Sequence, residues 1–275
     1  MNNTILVTTD FSDTSRNALD YACALAADTG KEVLLTHIYV IPTAYAGDGL
    51  SLVTIDESME SETKLLQEEK DRVARQHPSL KVTTSMTTGN FVESLCEMSA
   101  TLRPSLVIIG AFGEYSDVLL WENEWLRVIV AVSCPVLVVP SHKKYKRCTK
   151  IAFACDYKKV YTPLQKNALH EWVQQSGAEL HIVHVTQNAT AEVVNSPVAD
   201  QVRRAFSALN PVYHLLKEME VIEAMAGFIA ANEIDMLVVV PRVHSFWHSL
   251  FNKSYSKQLA RLNNTPVLAI HDMEQ

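Results

Sequence analysis

Thr4-Ile5-Leu6-Val7-Thr8-Thr9-Asp10 is a short apolar run ending on an aspartate, and Lys150-Ile151-Ala152-Phe153-Ala154-Cys155-Asp156 repeats the pattern 146 residues later. Runs this short and apolar read as buried strands. Helical spacing follows each: Ala18, Leu19, Ala22, Leu25 and Ala26 after the first, Leu164, Ala168, Leu169, Trp172 and Val173 after the second. Ser12 or Asp13 is placed to cap the first helix and Thr162, followed by Pro163, to start the second. Gly30 and Gly177 stand where a left-handed residue closes each. Two more β-rich runs, Glu32 to Val40 and Glu179 to Val185, carry His37 and His184, now 147 residues apart.

The self-match continues to the end of the chain. Leu106-Val107-Ile108-Ile109 matches Leu237-Val238-Val239-Val240, and Pro135-Val136-Leu137-Val138 matches Pro266-Val267-Leu268-Ala269, both at an offset of 131. The fall from 147 to 131 assigns the first copy about 16 extra residues around Ile41 to Gln76, a Gly/Ser-rich loop and then a charged helix that reads as a solvated flank. Each copy reads β-α-β-α-β-α-β-α-β, which implies a parallel sheet covered on both faces. The expected architecture is therefore α/β: two tandem open parallel-sheet domains with flavodoxin-like α/β/α layering, over residues 1–141 and 148–275, joined near Ser141 to Arg147.

Composition narrows the function classes. With 48% hydrophobic residues in 275, the chain fills ordinary cores, and a net charge of −7 argues against a nucleic-acid binder working through a global basic surface. Lys143-Lys144-Tyr145-Lys146-Arg147 is a local basic run that a solvated linker explains. The start, Met1-Asn2-Asn3-Thr4, has no basic region before an apolar stretch, and the most apolar window, Val128 to Val139, is short and broken, so neither signal peptide nor membrane span is expected. Five cysteines without CxxC spacing (Cys23, Cys96, Cys134, Cys148, Cys155) read as reduced thiols in a cytoplasmic protein.

In an open α/β sheet, ligands bind beyond the carboxyl ends of the strands, where the strand order switches. In the first copy those ends carry Asp10 and Gly110-Ala111-Phe112-Gly113. Glycine suits a phosphate because backbone N–H groups can then approach the anion. With Thr9-Asp10-Phe11-Ser12, Gly89 before a helix, the Gly110-x-x-Gly113 loop and the closing Cys134-Pro135-Val136-Leu137-Val138-Val139, the first copy resembles a universal stress protein domain, and the whole chain resembles two such domains in tandem. The resemblance implies an adenine-nucleotide alpha-hydrolase-like fold. In nucleotide-binding members the glycine loop continues, about nine residues on, into Gly-Ser or Gly-Thr and cradles the phosphates of ATP, while the first aspartate lies near the adenosine. It also implies pairing through the last strands, here Val136 to Val139 with Val267 to Ile270, as an intramolecular pseudo-dimer.

Both copies depart from that pattern. In the first, the expected Gly-Ser falls on Glu122-Asn123 or Asn123-Glu124, and Glu114, Asp117, Glu122 and Glu124 stand without a Lys or Arg. A carboxylate 4 Å from a phosphate charge costs about 1 kcal/mol in water and roughly 4 at a partly buried site, so ATP is disfavoured there without a metal. In the second copy Pro241 and His244 replace the glycines, yet Pro241 to Ser256 holds no acid and contains Arg242, His244, His248 and Lys253; Ser254 aligns with Asn123. That segment is the better anion site electrostatically and the worse one sterically, and Phe246, Trp247, Leu250 and Phe251 are placed to plug its cleft. Candidate ligand contacts are therefore Asp10, Gly110, Gly113, Asp156, Arg242, His244, His248, Lys253 and Ser254, with each aspartate alternatively a helix-leading acid.

Other patterns are weaker. His181 and His184 point to opposite faces of a strand and cannot share an ion; His244 and His248 share a helical face but lack a third ligand nearby. Trp121 and Trp125 read as packing residues. The expectation is a cytoplasmic, non-catalytic stress-response binding and interaction module with degenerate ATP loops, requiring no cofactor, pairing with itself, with a homodimer and unidentified protein partners left open. A nucleotide-binding sensor or weak ATPase, and an enzyme or receptor for a phosphorylated small molecule in the second copy, are the alternatives.

Overall fold

The strand-end aspartates and the helices after them organise two units, Met1–Tyr145 and Lys146–Gln275. The computed structural model describes residues 3–41, 51–111, 124–157, 160–186, 196–217, 221–241 and 264–271. In unit 1 the order is β1 (Thr4–Thr9), α1 (Asp13–Thr29), β2 (Glu32–Tyr39), α2 (Ser51–Gln76), β3 (Val82–Thr88), α3 (Phe91–Leu102), β4 (Leu106–Ala111), α4 (Glu124–Ala131) and β5 (Val136–Pro140). Its strands lie in the order β3-β2-β1-β4-β5, every neighbour parallel. Unit 2 holds β6 (Lys150–Ala154), α5 (Pro163–Ser176), β7 (Glu179–Thr186), α6 (Pro197–Phe206), β8 (Val212–Lys217), α7 (Val221–Asn232), β9 (Met236–Val239) and β10 (Val267–Ala269). Its order, β10-β9-β6-β7-β8, repeats that of unit 1 and is again parallel.

A parallel strand under helices on both faces has no polar side, which is why the strands read as unbroken apolar runs. Ile5, Leu6 and Val7 in β1 and Ile151 and Ala152 in β6 are fully buried. The helix α1 buries the whole stripe its spacing predicts, Ala18, Leu19, Ala22, Leu25 and Ala26, whereas α5 buries Ala168, Leu169 and Val173 and leaves Leu164 and Trp172 half-buried. The caps also lie where expected. Ser12 caps α1 by accepting from the Ser15 N–H, Thr162 and Gln165 form a reciprocal capping box on α5, and Gly30 and Gly177 end these helices at φ 68°.

Three sequence expectations are sharpened or changed. First, the extra length of copy one, expected around Ile41 to Gln76, is matched there by helix length: α2 has 26 residues and α6 has 10. Second, α2 is no merely solvated flank. Leu66, Glu69 and Val73 are buried at helical spacing, and Glu69 ties α2 to α1 by accepting from Arg16 at 2.7 Å and from Arg72 at 2.9 Å, while Arg72 also reaches Asp20 at 2.7 Å. Third, the terminal strands do not share one offset. Ile5 pairs with Leu106 and Ile151 with Met236, so β9 follows β4 by 130 residues, whereas the pairs Val107 with Val136 and Leu237 with Val267 keep β10 at 131. The self-match of the sequence lies one residue off the register in β9 because the apolar residues there are interchangeable. Facing alternates along a strand, so one residue reassigns which side chains point where.

The basic run between the units is pinned. Lys144 lies 3.9 Å from Asp20 and Tyr145 donates to Asp28 in unit 1. In unit 2, Arg147 donates to the Gln175 carbonyl and Lys146 pairs with Asp235. Asp235 is 4% exposed and also accepts from Thr149 N–H, Thr149 Oγ and Lys150 N–H, which fixes the start of β6.

Candidate functional site

The strand order reverses between β1 and β4 in unit 1 and between β6 and β9 in unit 2, so each unit has its crevice beyond those strand ends. Asp10, directly after β1, forms an Asx turn: its Oδ1 accepts from Ser12 N–H at 3.1 Å and Ser12 Oγ at 2.6 Å. Partial burial opposes its charge, but the hydrogen bonds from Ser12 and Ser15 outweigh it and hold the carboxyl below its usual range. Asp10 is thus a helix-leading acid engaged at the start of α1, with its carboxylate still facing solvent. Phe11 takes the left-handed conformation at φ 65°, uncommon outside glycine, and its N–H is held by Thr9 Oγ1 at 3.0 Å. Thr9 Oγ1 in turn lies 3.2 Å from Ser15 Oγ, so the hydroxyls at the root of the crevice are tied to one another.

Gly110, at the end of β4, has a packing reason. A Cβ there would lie 2.9 Å from both the Cγ2 and the backbone oxygen of Thr14, in the first turn of α1. Close approach of helix to strand therefore requires glycine. Strand register places Val240, not Pro241, at the corresponding position in unit 2. Val240 is tolerated because the helix starts later: α5 begins at Pro163, seven residues after Asp156, whereas α1 begins three after Asp10. The longer loop is held by Tyr161, whose hydroxyl accepts the Asp156 N–H at 2.8 Å and whose ring packs edge-on against Phe153.

One pattern common to both crevices went unread as a site feature, although its residues align in sequence. His37 Nδ1–H donates to the Thr9 carbonyl at 2.7 Å, and His184 Nδ1–H donates to the Cys155 carbonyl at 2.9 Å, in each case the residue before the strand-end aspartate. The aromatic residue after the aspartate covers the ring: Phe11 lies 4.8 Å from His37 and Tyr157 4.4 Å from His184. His181 faces the other side of the sheet, with its Nδ1 3.0 Å from Nε2 of His214. Burial first, then the neighbouring His181, lowers the His214 pKa.

Of the candidate contacts, Asp10, Gly110 and Asp156 occupy crevice rims. Gly113, Arg242, His244, His248, Lys253 and Ser254 lie outside the described residues, as do the aromatic plug and the side chains of Glu114, Asp117, Glu122, Glu124, Trp121 and Trp125. Among the described residues no group of three metal-ligating side chains converges, and no helix is long and apolar enough to cross a membrane. The five cysteines are free thiols, four of them buried, with burial pushing Cys23 and Cys134 up to about 12.

The fold is that of a tandem open α/β protein with a crevice beyond the switch point of each unit. A family model of the universal stress protein family matches residues 1–140, and the chain belongs to that family. Among solved structures it is similar to a universal stress protein from Archaeoglobus fulgidus DSM 4304, at 15% identity over 98% of this chain and 97% of that one, with a TM-score of 0.70. A functionally unknown protein from Pseudomonas aeruginosa PAO1 matches at 14% identity over 98% and 93%, TM-score 0.61. A universal stress family protein from Burkholderia pseudomallei matches half of this chain and 95% of its own at 22% identity, TM-score 0.41. No curated protein matches.

Proposed function

We propose that this protein is a non-catalytic stress-response binding module whose two clefts have diverged from a complete ATP site. The observation that carries the reading is the role of Gly110: its missing Cβ accommodates Thr14, and in unit 2 valine holds the same place once the helix start has withdrawn. The polar groups at the crevice root support the non-catalytic part. Ser12 Oγ donates to Asp10, Ser15 Oγ donates to the Ser12 carbonyl, and His37 Nδ1–H is committed to a backbone oxygen. A nucleophile needs a base within reach rather than a backbone partner. Buried free thiols fit a reducing, cytoplasmic setting.

A second reading, a nucleotide-binding sensor, draws on one observation: Asp10 is held ionised and solvent-facing at the switch point, where a ribose or amine could be recognised. Native mass spectrometry of freshly purified protein separates the two. The first reading expects the bare chain mass; a retained adenine nucleotide would overturn it.

A further inference from the structure

We propose that His37 is a positioning residue for the unit 1 crevice, and that its hold on the Asp10 loop depends on a proton shared with Glu62. The argument begins with the Thr9 carbonyl, which can only accept, so the ring proton facing it sits on Nδ1. A neutral imidazole then presents a bare lone pair at Nε2. Yet Nε2 lies 3.0 Å from Oε2 of Glu62, without an aligned hydrogen bond, on a side chain only 9% exposed. Two acceptors at that distance repel; a proton on Nε2 turns the contact into an ion pair joining α2, β2 and the end of β1.

Among the described residues, Glu62 is the charge that faces Nε2 of His37. From the β1 side His37 meets the Thr9 carbonyl and the Phe11 ring, while the Asp10 carboxylate is turned to Ser12. From β3 the register neighbour is Met86, which is uncharged. On α2 the other carboxylate buried toward the sheet is Glu69, matched by Arg16 and Arg72. Phe11 needs support because its backbone is left-handed, and the His37 ring beneath it supplies a contact that holds the loop in place. Unit 2 provides an internal comparison. His184 makes the same bond to Cys155 and the same ring contact with Tyr157, but no carboxylate pairs with it among the described residues. The Glu62 contact proposed as the proton-dependent part of the unit 1 latch thus has no counterpart on His184 among the described residues.

This rests on the crevice beside Asp10 being the binding face only for its consequence, because the latch is tested on the full chain without ligand. Amide exchange protection, with the intrinsic pH dependence divided out, would be followed across the histidine range of about pH 5 to 8. Residues 9–12 and 59–66 should lose protection on the order of tenfold as pH rises. Glu62→Gln should abolish that dependence, since an amide N–H can donate to the neutral ring, and residues 155–157 should stay level in both proteins. Equal pH profiles in the wild type and Glu62→Gln would overturn the proposal. Should the variant misfold, the wild-type NMR titration decides: loop amides must track the His37 ring signals, and loop amides that stay constant while His37 titrates would overturn it equally.

Discussion

At the residue scale, Gly110 carries a packing demand that its place in the sequence does not disclose, and Asp235 carries a stabilising role with no sequence cue. Gly110 reads as a phosphate glycine because of its place after β4; its contact with Thr14 joins residues 96 apart and cannot be read from local sequence. Gly110→Ala should cost about 1–3 kcal/mol by overpacking against a backbone oxygen, measurable as a lower urea midpoint. Asp235 carried no signal at all, since a lone aspartate before a strand is commonplace. Burial opposes its charge, but Lys146, Thr149 and Lys150 together hold its pKa down to about 2 from an ordinary 3.8. A depressed carboxylate stabilises the fold fully above its unfolded value and loses that contribution as pH falls through the folded value. Asp235→Asn should therefore destabilise by about 1–2 kcal/mol near neutral pH, allowing for the exposed lysine, and the gap from wild type should narrow as pH falls from about 4 to about 2. A gap constant over that range in urea unfolding would refute the assignment.

The elements themselves were legible wherever periodicity and caps agreed. Strands β1 and β6, helices α1 and α5, and their caps at Ser12, Thr162, Gly30 and Gly177 follow from spacing, because burial on both faces and on one helical stripe dictates residue type directly. Where every residue is aliphatic, as in β9, apolarity fixes the element but not the register, and the match slipped by one. A charged surface misled differently in α2: one buried carboxylate among many exposed ones leaves no mark in composition. Glu69→Ala would strip the shared acceptor from Arg16 and Arg72 and should cost about 2–3 kcal/mol, less than for a fully buried triad because both arginine side chains remain partly exposed. Denaturation of the variant against wild type checks this; a loss below about 0.5 kcal/mol would return α2 to the status of a solvated flank.

Duplication gave the whole molecule two units with one strand order and two different crevices. Unit 1 keeps the tight turn into α1, the glycine that permits it and a histidine paired with Glu62; unit 2 has a longer loop, valine in place of the glycine and a histidine with no carboxylate partner among the described residues. The strand-end aspartates and the two histidines are repeated in both, so the strand ends were retained while the helix starts after them changed. The sequence announced the repeat and the divergence of the loops, but not the cause, which lies in where each helix begins. The central claim, that neither crevice is a complete ATP site, is tested most directly by calorimetric titration of the full chain with ATP, with and without Mg²⁺. The account predicts no saturable heat at micromolar ATP in either condition; saturable micromolar binding would contradict it.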